Sequence, residues 1–270
     1  METNDQYHED KTHVSASMLK DLDESPRVFE AKHVTRSLLR KPTASMEIGT
    51  AVHCLALEPD EFDRRYVVQP DSCKDRRTKA YKEWAAGIDS SLSILSPAEF
   101  GTISRCVASL RANPIIEMAL QAKGEVEQSY RWTCQFTDVP CKFRPDKICD
   151  GPGIILDVKT MAACSQSEFE KQLVNFRYYL QAAHYLVGAS AAFPERGEDW
   201  MFVFACVETS APFRCRAFEL DAESVGIGLD HRDSLLRDYT SRMASGDWSE
   251  PGESELVTVS LPEWFVRKRA

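Results

Sequence analysis

The segment CKFRPDKICDGPGIILDVKT, residues 141 to 160, carries two aspartates and a lysine in a pattern able to do chemistry. If its turn is symmetric about Gly151-Pro152, two antiparallel strands set Asp146 directly opposite Asp157. Like charges facing one another destabilise a sheet. Two unit charges about 4 Å apart repel by roughly 4 kcal/mol at an effective dielectric near 20, so something positive must sit between them. Alternation along the second strand sends Ile155, Asp157 and Lys159 one way and Ile154, Leu156 and Val158 the other, into the core, which leaves Lys159 beside the acids. A divalent cation would also offset the repulsion. Mg2+ in particular binds through one or two carboxylates while keeping waters and phosphate oxygens. Such an ion polarises a phosphodiester and supplies hydroxide near neutral pH, while an ammonium places the water and stabilises the charge that develops. The constellation predicts metal-dependent phosphodiester hydrolysis. The plainer alternative is a surface hairpin whose Asp157–Lys159 ion pair is worth at most about 1 kcal/mol.

The elements around the hairpin must position it. Residues 1–12 lack an apolar period and read as a frayed end. Ser15 can cap a short helix through Leu22, and Ser25-Pro26 can open another. Residues 44–58 have the spacing of a buried helix stopped by Pro59, and Phe62 to Val68 reads as a short strand. Residues 97–122 read as helix, interrupted near Asn113-Pro114. From 125 the period becomes two, with Val126, Gln128, Tyr130 and Trp132 on one side of a strand and Glu127, Ser129 and Arg131 on the other. Strands over 139–149 and 154–160 follow, then a helix at 168–188, strands near 200–208 and 213–220, and an amphipathic helix at 221–244. The expectation is one α/β domain over 1–270, with 13–122 forming a mainly helical wall and 123–270 the sheet core and C-terminal helix.

Composition narrows the function classes. With 43% hydrophobic and 28% charged residues over 270 positions, a wholly disordered, collagen-like or coiled-coil chain is a poor fit. No apolar run approaches the roughly 20 residues of a membrane span, and the polar, acidic start does not read as a signal peptide, so a cytoplasmic location without membrane contact is expected. A net charge of −9, from 33 basic and 42 acidic residues, argues against indiscriminate coating of nucleic acid but leaves room for a local basic groove. The nine cysteines contain no C-x-x-C pair, which points to reduced thiols packed in an interior rather than a zinc ribbon or disulfide scaffold.

Arg144-Pro145-Asp146 followed by Asp157-Val158-Lys159 resembles the PD-(D/E)xK nuclease signature. Gly49-Thr-Ala-Val-His53 is similar to the G-x-x-x-H helix of its RecB-type branch, and Gln181-Ala-Ala-His-Tyr185 to the Q-x-x-x-Y helix, each pair lying on one helix face. The openings V-S-A-S-M-L-K (14–20) and A-V-H-C-L-A-L-E-P-D-E-F (51–62), with the closing G-D-W and L-P-E-W, extend the likeness to RecE-type (exonuclease VIII-like) phage and prophage exonucleases over about residues 13 to 265. The resemblance implies a restriction-endonuclease-like core, a central mixed sheet flanked by helices.

It further implies that His53, Asp146 and Asp157 hold one or two Mg2+ ions, with Mn2+ able to substitute, and that Lys159 acts on the attacking water. A lone histidine amid Ala, Val and Leu is more often a satisfied core residue, and only the company of these motifs makes His53 a ligand. Glu127 lies where related nucleases can carry an extra acid, so it is either an outer metal ligand or a solvated strand glutamate. Gln181 and Tyr185 brace the site or touch the substrate backbone, or else simply pack. His184 sits off their face and reads as structural.

For DNA, phosphate neutralisation must come from gathered basic side chains. The candidates are Arg27, Lys32, Arg36, Arg40 and Lys41, and a second group of Lys74, Arg76, Arg77, Lys79 and Lys82; either could equally be a solvated face. Ser15 and Ser17 could donate to a terminal phosphate, although helix capping explains Ser15 as well. The family implies processive 5′-to-3′ digestion of double-stranded DNA ends that leaves 3′ single-stranded tails. It also implies a ring-shaped homo-oligomer, trimer or tetramer, and a single-strand annealing protein that takes the product. The rivals are an endonuclease or repair nuclease of the same superfamily and a catalytically inactive DNA-binding module on this scaffold. A cysteine hydrolase using Cys54 beside His53 fails because adjacent helix residues project about 100° apart. The four-cysteine spacing of iron-sulfur relatives is absent, so a colourless protein is expected.

Overall fold

The apolar runs at 154–158 and 202–207 lack regular polar alternation, as strands covered on both faces require, and the computed structural model places both at the centre of a sheet. It describes residues 2, 4–38, 43–73, 75–263 and 267. The helices are α1 (Asn4–Glu9), α2 (Ala16–Glu24), α3 (Pro26–Phe29), which runs into a π turn at Glu30–Val34, α4 (Ala44–Leu57), α5 (Pro59–Arg65), α6 (Lys79–Ala86), α7 (Pro97–Ala112), α8 (Pro114–Gln121), α9 (Gln166–Asn175), α10 (Tyr178–Ala192) and α11 (Ala222–Ser245). The strands are β1 (Tyr66–Val68), β2 (Ser93–Leu95), β3 (Gly124–Val126), β4 (Tyr130–Thr133), β5 (Pro140–Phe143), β6 (Lys147–Cys149), β7 (Ile154–Met161), β8 (Met201–Glu208) and β9 (Cys215–Phe218).

The main sheet has the order β3-β6-β7-β8-β9. Only β7 and β8 run parallel, linked by a crossover that contains α9 and α10, and the other neighbours are antiparallel. One face packs Leu156, Val158, Val203 and Ala205 against Val52 of α4, Ile103 and Leu110 of α7 and Ile116 of α8. The other packs Ile155, Phe202 and Phe204 against Phe169 of α9 and Ala182 of α10. A third cluster joins α2, α10 and α11 through Leu19, Leu180 and Leu236. The result is the expected mixed α/β core with helices on both faces, one of them the N-terminal helical wall.

Several local expectations are corrected. Pro59 does not simply stop a helix: it occupies the first turn of α5, where a missing N–H costs nothing, so residues 62–65 are helical and only Tyr66–Val68 is strand. The alternating run from 125 is two strands of different sheets, because Glu127 turns the chain with a φ of 50°. Residues 139–149 divide likewise at Arg144-Pro145-Asp146, β5 pairing with β4 and β6 with β3 and β7. The helix expected at 168–188 is broken at Arg177, whose φ of 51° starts α10 afresh. The opening residues, read as frayed, include α1. The buried Lys142 ammonium donates to the Tyr7 and Asp10 carbonyls, and Arg131 pairs with Glu2 and Asp10. Trp248 of the Gly-Asp-Trp motif stacks on Phe29 at 5.0 Å between ring centres; Trp264 of the other closing motif lies outside the described residues.

Candidate active site

The β6–β7 ladder pairs Lys147 with Leu156, Ile148 with Ile155 and Cys149 with Ile154. The next pair in that register is Asp146 and Asp157, as the symmetric turn predicts. Asp146 stands just before β6, and its Oδ2 accepts the Val158 backbone N–H at 2.6 Å and lies 3.3 Å from His53 Nδ1. Asp157, only 2% exposed, has its Oδ1 bonded by Gln181 Nε2 at 2.7 Å and its Oδ2 2.5 Å from Lys159 Nζ. The Lys159 ammonium is thus the charged partner of that buried oxygen. Glu127 reaches the group from the end of β3. Its N–H donates to the Asp146 carbonyl at 3.1 Å, and its carboxylate accepts from Arg144 Nε at 3.0 Å. One donor atom each from His53, Glu127 and Asp146 lies within 4.8 Å of the others.

Two helices hold this arrangement, and each does so through residues four apart. On α4, a Cβ at Gly49 would stand 3.0 Å from Thr160 Oγ1, so glycine lets the helix approach β7 closely enough for His53 to meet Asp146. On α10, Gln181 grips Asp157 while the Tyr185 hydroxyl donates to the Arg144 carbonyl at 3.0 Å. One helix face thereby clamps both acid-bearing arms of the hairpin.

The charges are strongly interdependent. Burial alone would favour neutral His53, but the Asp146 carboxylate overcomes it and raises the imidazole to about 8. Asp146 is held below its ordinary range: burial opposes ionisation, yet His53 and Lys159 outweigh it. Burial pushes Asp157 up, with Lys159 pulling it down and Asp146 adding to the rise. Lys159, despite burial, is pushed above the ordinary lysine value by Asp157 and Asp146. Glu127 is raised to about 7, first by burial and then by the Asp146 charge. An imidazole and two carboxylates, with the Asp157 carboxylate alongside, form a donor set that fits a divalent cation binding nitrogen and oxygen.

His53, Glu127, Asp146, Asp157, Lys159, Gln181 and Tyr185 thus converge. His184 behaves as the structural residue it was read to be, with Nε2 on the Lys142 carbonyl at 3.0 Å and burial lowering its pKa to about 3. The residues proposed for DNA mostly have partners of their own. Ser15 caps α2 through the Met18 N–H and meets Ser17 Oγ at 2.9 Å. Arg27 pairs with Glu30 and Glu253, Lys32 with Asp21, Arg76 with Glu99 and Arg77 with Asp75, while Arg36 is exposed. Arg40, Lys41 and Lys74 lie outside the described residues. Eight of the nine thiols are buried and all are free. Two residues went unnoticed in the sequence: Arg144, which holds Glu127, and Lys20, whose Nζ is 2.9 Å from Gln181 Oε1. Arg144 stands in the Arg-Pro-Asp signature and Lys20 ends V-S-A-S-M-L-K, but each finds its partner across the fold.

Among solved structures, a "Putative exonuclease" from Eubacterium rectale is 14% identical and has a TM-score of 0.64, covering 98% of this chain and 97% of that one. A phage-related exonuclease from Haemophilus somnus 129PT is 13% identical with a TM-score of 0.32, covering 87% of this chain and 96% of that one. The first of these shares the fold. No curated protein matches at a significant level. The family model described as a PDDEXK-like domain of unknown function (DUF3799) matches residues 15–259, and the chain belongs to that family.

Proposed function

We propose that this protein is a Mg2+-dependent exonuclease that digests double-stranded DNA from its 5′ ends and leaves 3′ single-stranded tails. The observation that carries the nuclease reading is the meeting of His53, Glu127 and Asp146 donors within 4.8 Å beside the Asp157–Lys159 pair. The choice of duplex ends and of 5′-to-3′ polarity follows the resemblance of the motifs to RecE-type enzymes.

In this reading His53, Glu127 and Asp146 hold the ion, and Asp157 would offer it the Oδ2 that it shares with Lys159. A bound divalent ion supplies Lewis-acid polarisation of the phosphoryl oxygen and a more acidic water. The chain's own residues do the rest. Lys159, kept protonated by two carboxylates, donates to the water and to the oxygens on which charge grows. Gln181 and Tyr185 fix the two arms, so the acids need no rearrangement during reaction. Attack of water on phosphorus breaks the P–O3′ bond, leaving a phosphate monoester and a hydroxyl. Arg27, Lys32, Arg36, Arg76 and Arg77, with Ser15 and Ser17, remain the proposed backbone contacts; DNA would exchange the present acidic partners of Arg27, Lys32, Arg76 and Arg77 for phosphates. A ring-shaped homo-oligomer and a single-strand annealing protein are the partners that this activity calls for.

Incubation with linear and closed circular duplex in Mg2+ tests the reading. Linear duplex should be consumed with release of 5′-mononucleotides, and the circle should survive. Cutting of the circle assigns an endonuclease instead, and no metal-dependent cleavage of either refutes the nuclease reading.

A further inference from the structure

Lys20 stands 161 positions before Gln181 in the chain, yet its ammonium donates to Gln181 Oε1 at 2.9 Å, and Gln181 Nε2 in turn donates to Asp157 Oδ1 at 2.7 Å. The same Tyr178 ring carries Lys20 Nζ at 5.2 Å and Lys159 Nζ at 5.1 Å from its centre. Lys20, Gln181, Asp157 and Lys159 therefore form one chain of ammonium, amide, carboxylate and ammonium. An amide can face its neighbours either way round, but a lysine ammonium only donates and a carboxylate only accepts. With the Lys20 ammonium on one side, just one orientation of the amide satisfies both; the neutral amine would not impose it.

We propose that Lys20 is a positioning residue for the hydrolytic reaction: by donating to the Gln181 amide oxygen, its ammonium holds the amide with the N–H presented to Asp157. This commits Asp157 Oδ1 to Gln181 and leaves Oδ2 to Lys159 and the metal. Without Lys20 the amide can flip and set its oxygen against the carboxylate, exchanging an attraction for a repulsion within a buried site. The tie also explains why α2 is fastened to the site. Arg177, at the start of α10, pairs with Asp23, one helical turn from Lys20, so α2 meets α10 at two adjacent points.

The proposal rests on the nuclease reading for its catalytic consequence but not for the contact itself, and the test separates the two. In the full chain, exchange of the Gln181 side-chain amide protons, followed by NMR, should accelerate about tenfold or more in Lys20→Met, the loss expected for one charge-assisted hydrogen bond; unchanged exchange overturns the proposal. In duplex hydrolysis, Lys20→Met should lower kcat about tenfold with KM nearly unchanged. Lys20→Arg should recover most of the rate. The double variant Lys20→Met/Gln181→Leu should be no slower than Gln181→Leu alone, because Lys20 acts through the amide. Multiplied effects of the two substitutions, or a loss appearing mainly in KM, would make Lys20 an independent substrate contact and overturn the assignment. If the wild-type protein cleaves no DNA with metal, the nuclease reading fails while the exchange measurement still decides the Lys20–Gln181 contact.

Discussion

The Lys159 ammonium and the His53 imidazole are the two side chains whose charge state matters most. Lys159→Ala should lower hydrolysis by about a hundredfold or more while leaving duplex binding largely intact, because one transition-state donor is removed but only one of many positive charges. A gel-shift assay beside the rate measurement checks this, and equal losses of binding and rate would reassign Lys159 to substrate binding. His53 makes a second prediction. A ligand must be neutral, and Asp146 raises this imidazole to about 8, so metal uptake has to displace a proton. Calorimetric titration should show affinity rising with pH up to about 8 and levelling above it, and in His53→Gln the rise should end near 7, as Glu127 becomes ionised. At this scale the sequence was most readable where chemistry is local. A symmetric turn determines which residues face each other, and the ladder from Lys147–Leu156 to Cys149–Ile154 obeys it. Lys20 was hidden because a hydrogen bond to Gln181 leaves no trace in the spacing of nearby residues.

Each flanking helix serves as a jig for one pair of residues. Gly49→Val should push α4 away from Thr160 and withdraw His53, weakening metal binding more than it weakens folding; a metal titration beside a thermal melt separates the two. Tyr185→Phe removes one hydrogen bond to the Arg144 carbonyl and should cost about 1 kcal/mol of stability, with a modest fall in kcat. Most long helices were legible from their apolar periods and the central strands β7 and β8 from their short, nearly continuous apolar runs. The breaks were not. Glu127 and Arg177 both adopt left-handed backbone without being glycine, a conformation of a few per cent of such residues that composition does not announce. Glu127 is bonded to Asp146 at the site and Arg177 is paired with Asp23 of α2, tertiary contacts of the kind that hold a residue in such a conformation.

For the molecule as a whole, the acid cluster should trade stability for function. Glu127 loses its proton near 4.5 in the unfolded chain and at about 7 in the folded one. A carboxyl raised in this way opposes folding increasingly as pH climbs through that interval. Raised His53 works in the same direction from about 6.5 upward, as its favourable pairing with Asp146 is lost. Above about 7 the depressed Lys20 pulls the other way. Buried His184, lowered to about 3, works against Glu127 up to about 6.5, because until then the unfolded chain takes up the extra proton. The metal-free protein should therefore melt progressively lower only between about pH 6.5 and 7. Saturating Mg2+ or Mn2+ should raise the melting temperature and flatten that slope by mass action. Glu127→Gln should stabilise the metal-free form at neutral pH and abolish much of the gain from metal. A metal-free melting temperature that rises with pH over this interval would overturn the account.

The Arg144 that holds Glu127 is itself covered from the front of the chain, with its guanidinium 5.8 Å from the centre of the Tyr7 ring and bonded to the Glu2 carbonyl. Removing residues 2–9 would consequently uncover the very arginine that aims a metal-site carboxylate. The shortened protein should take up Mn2+ less tightly than the intact one.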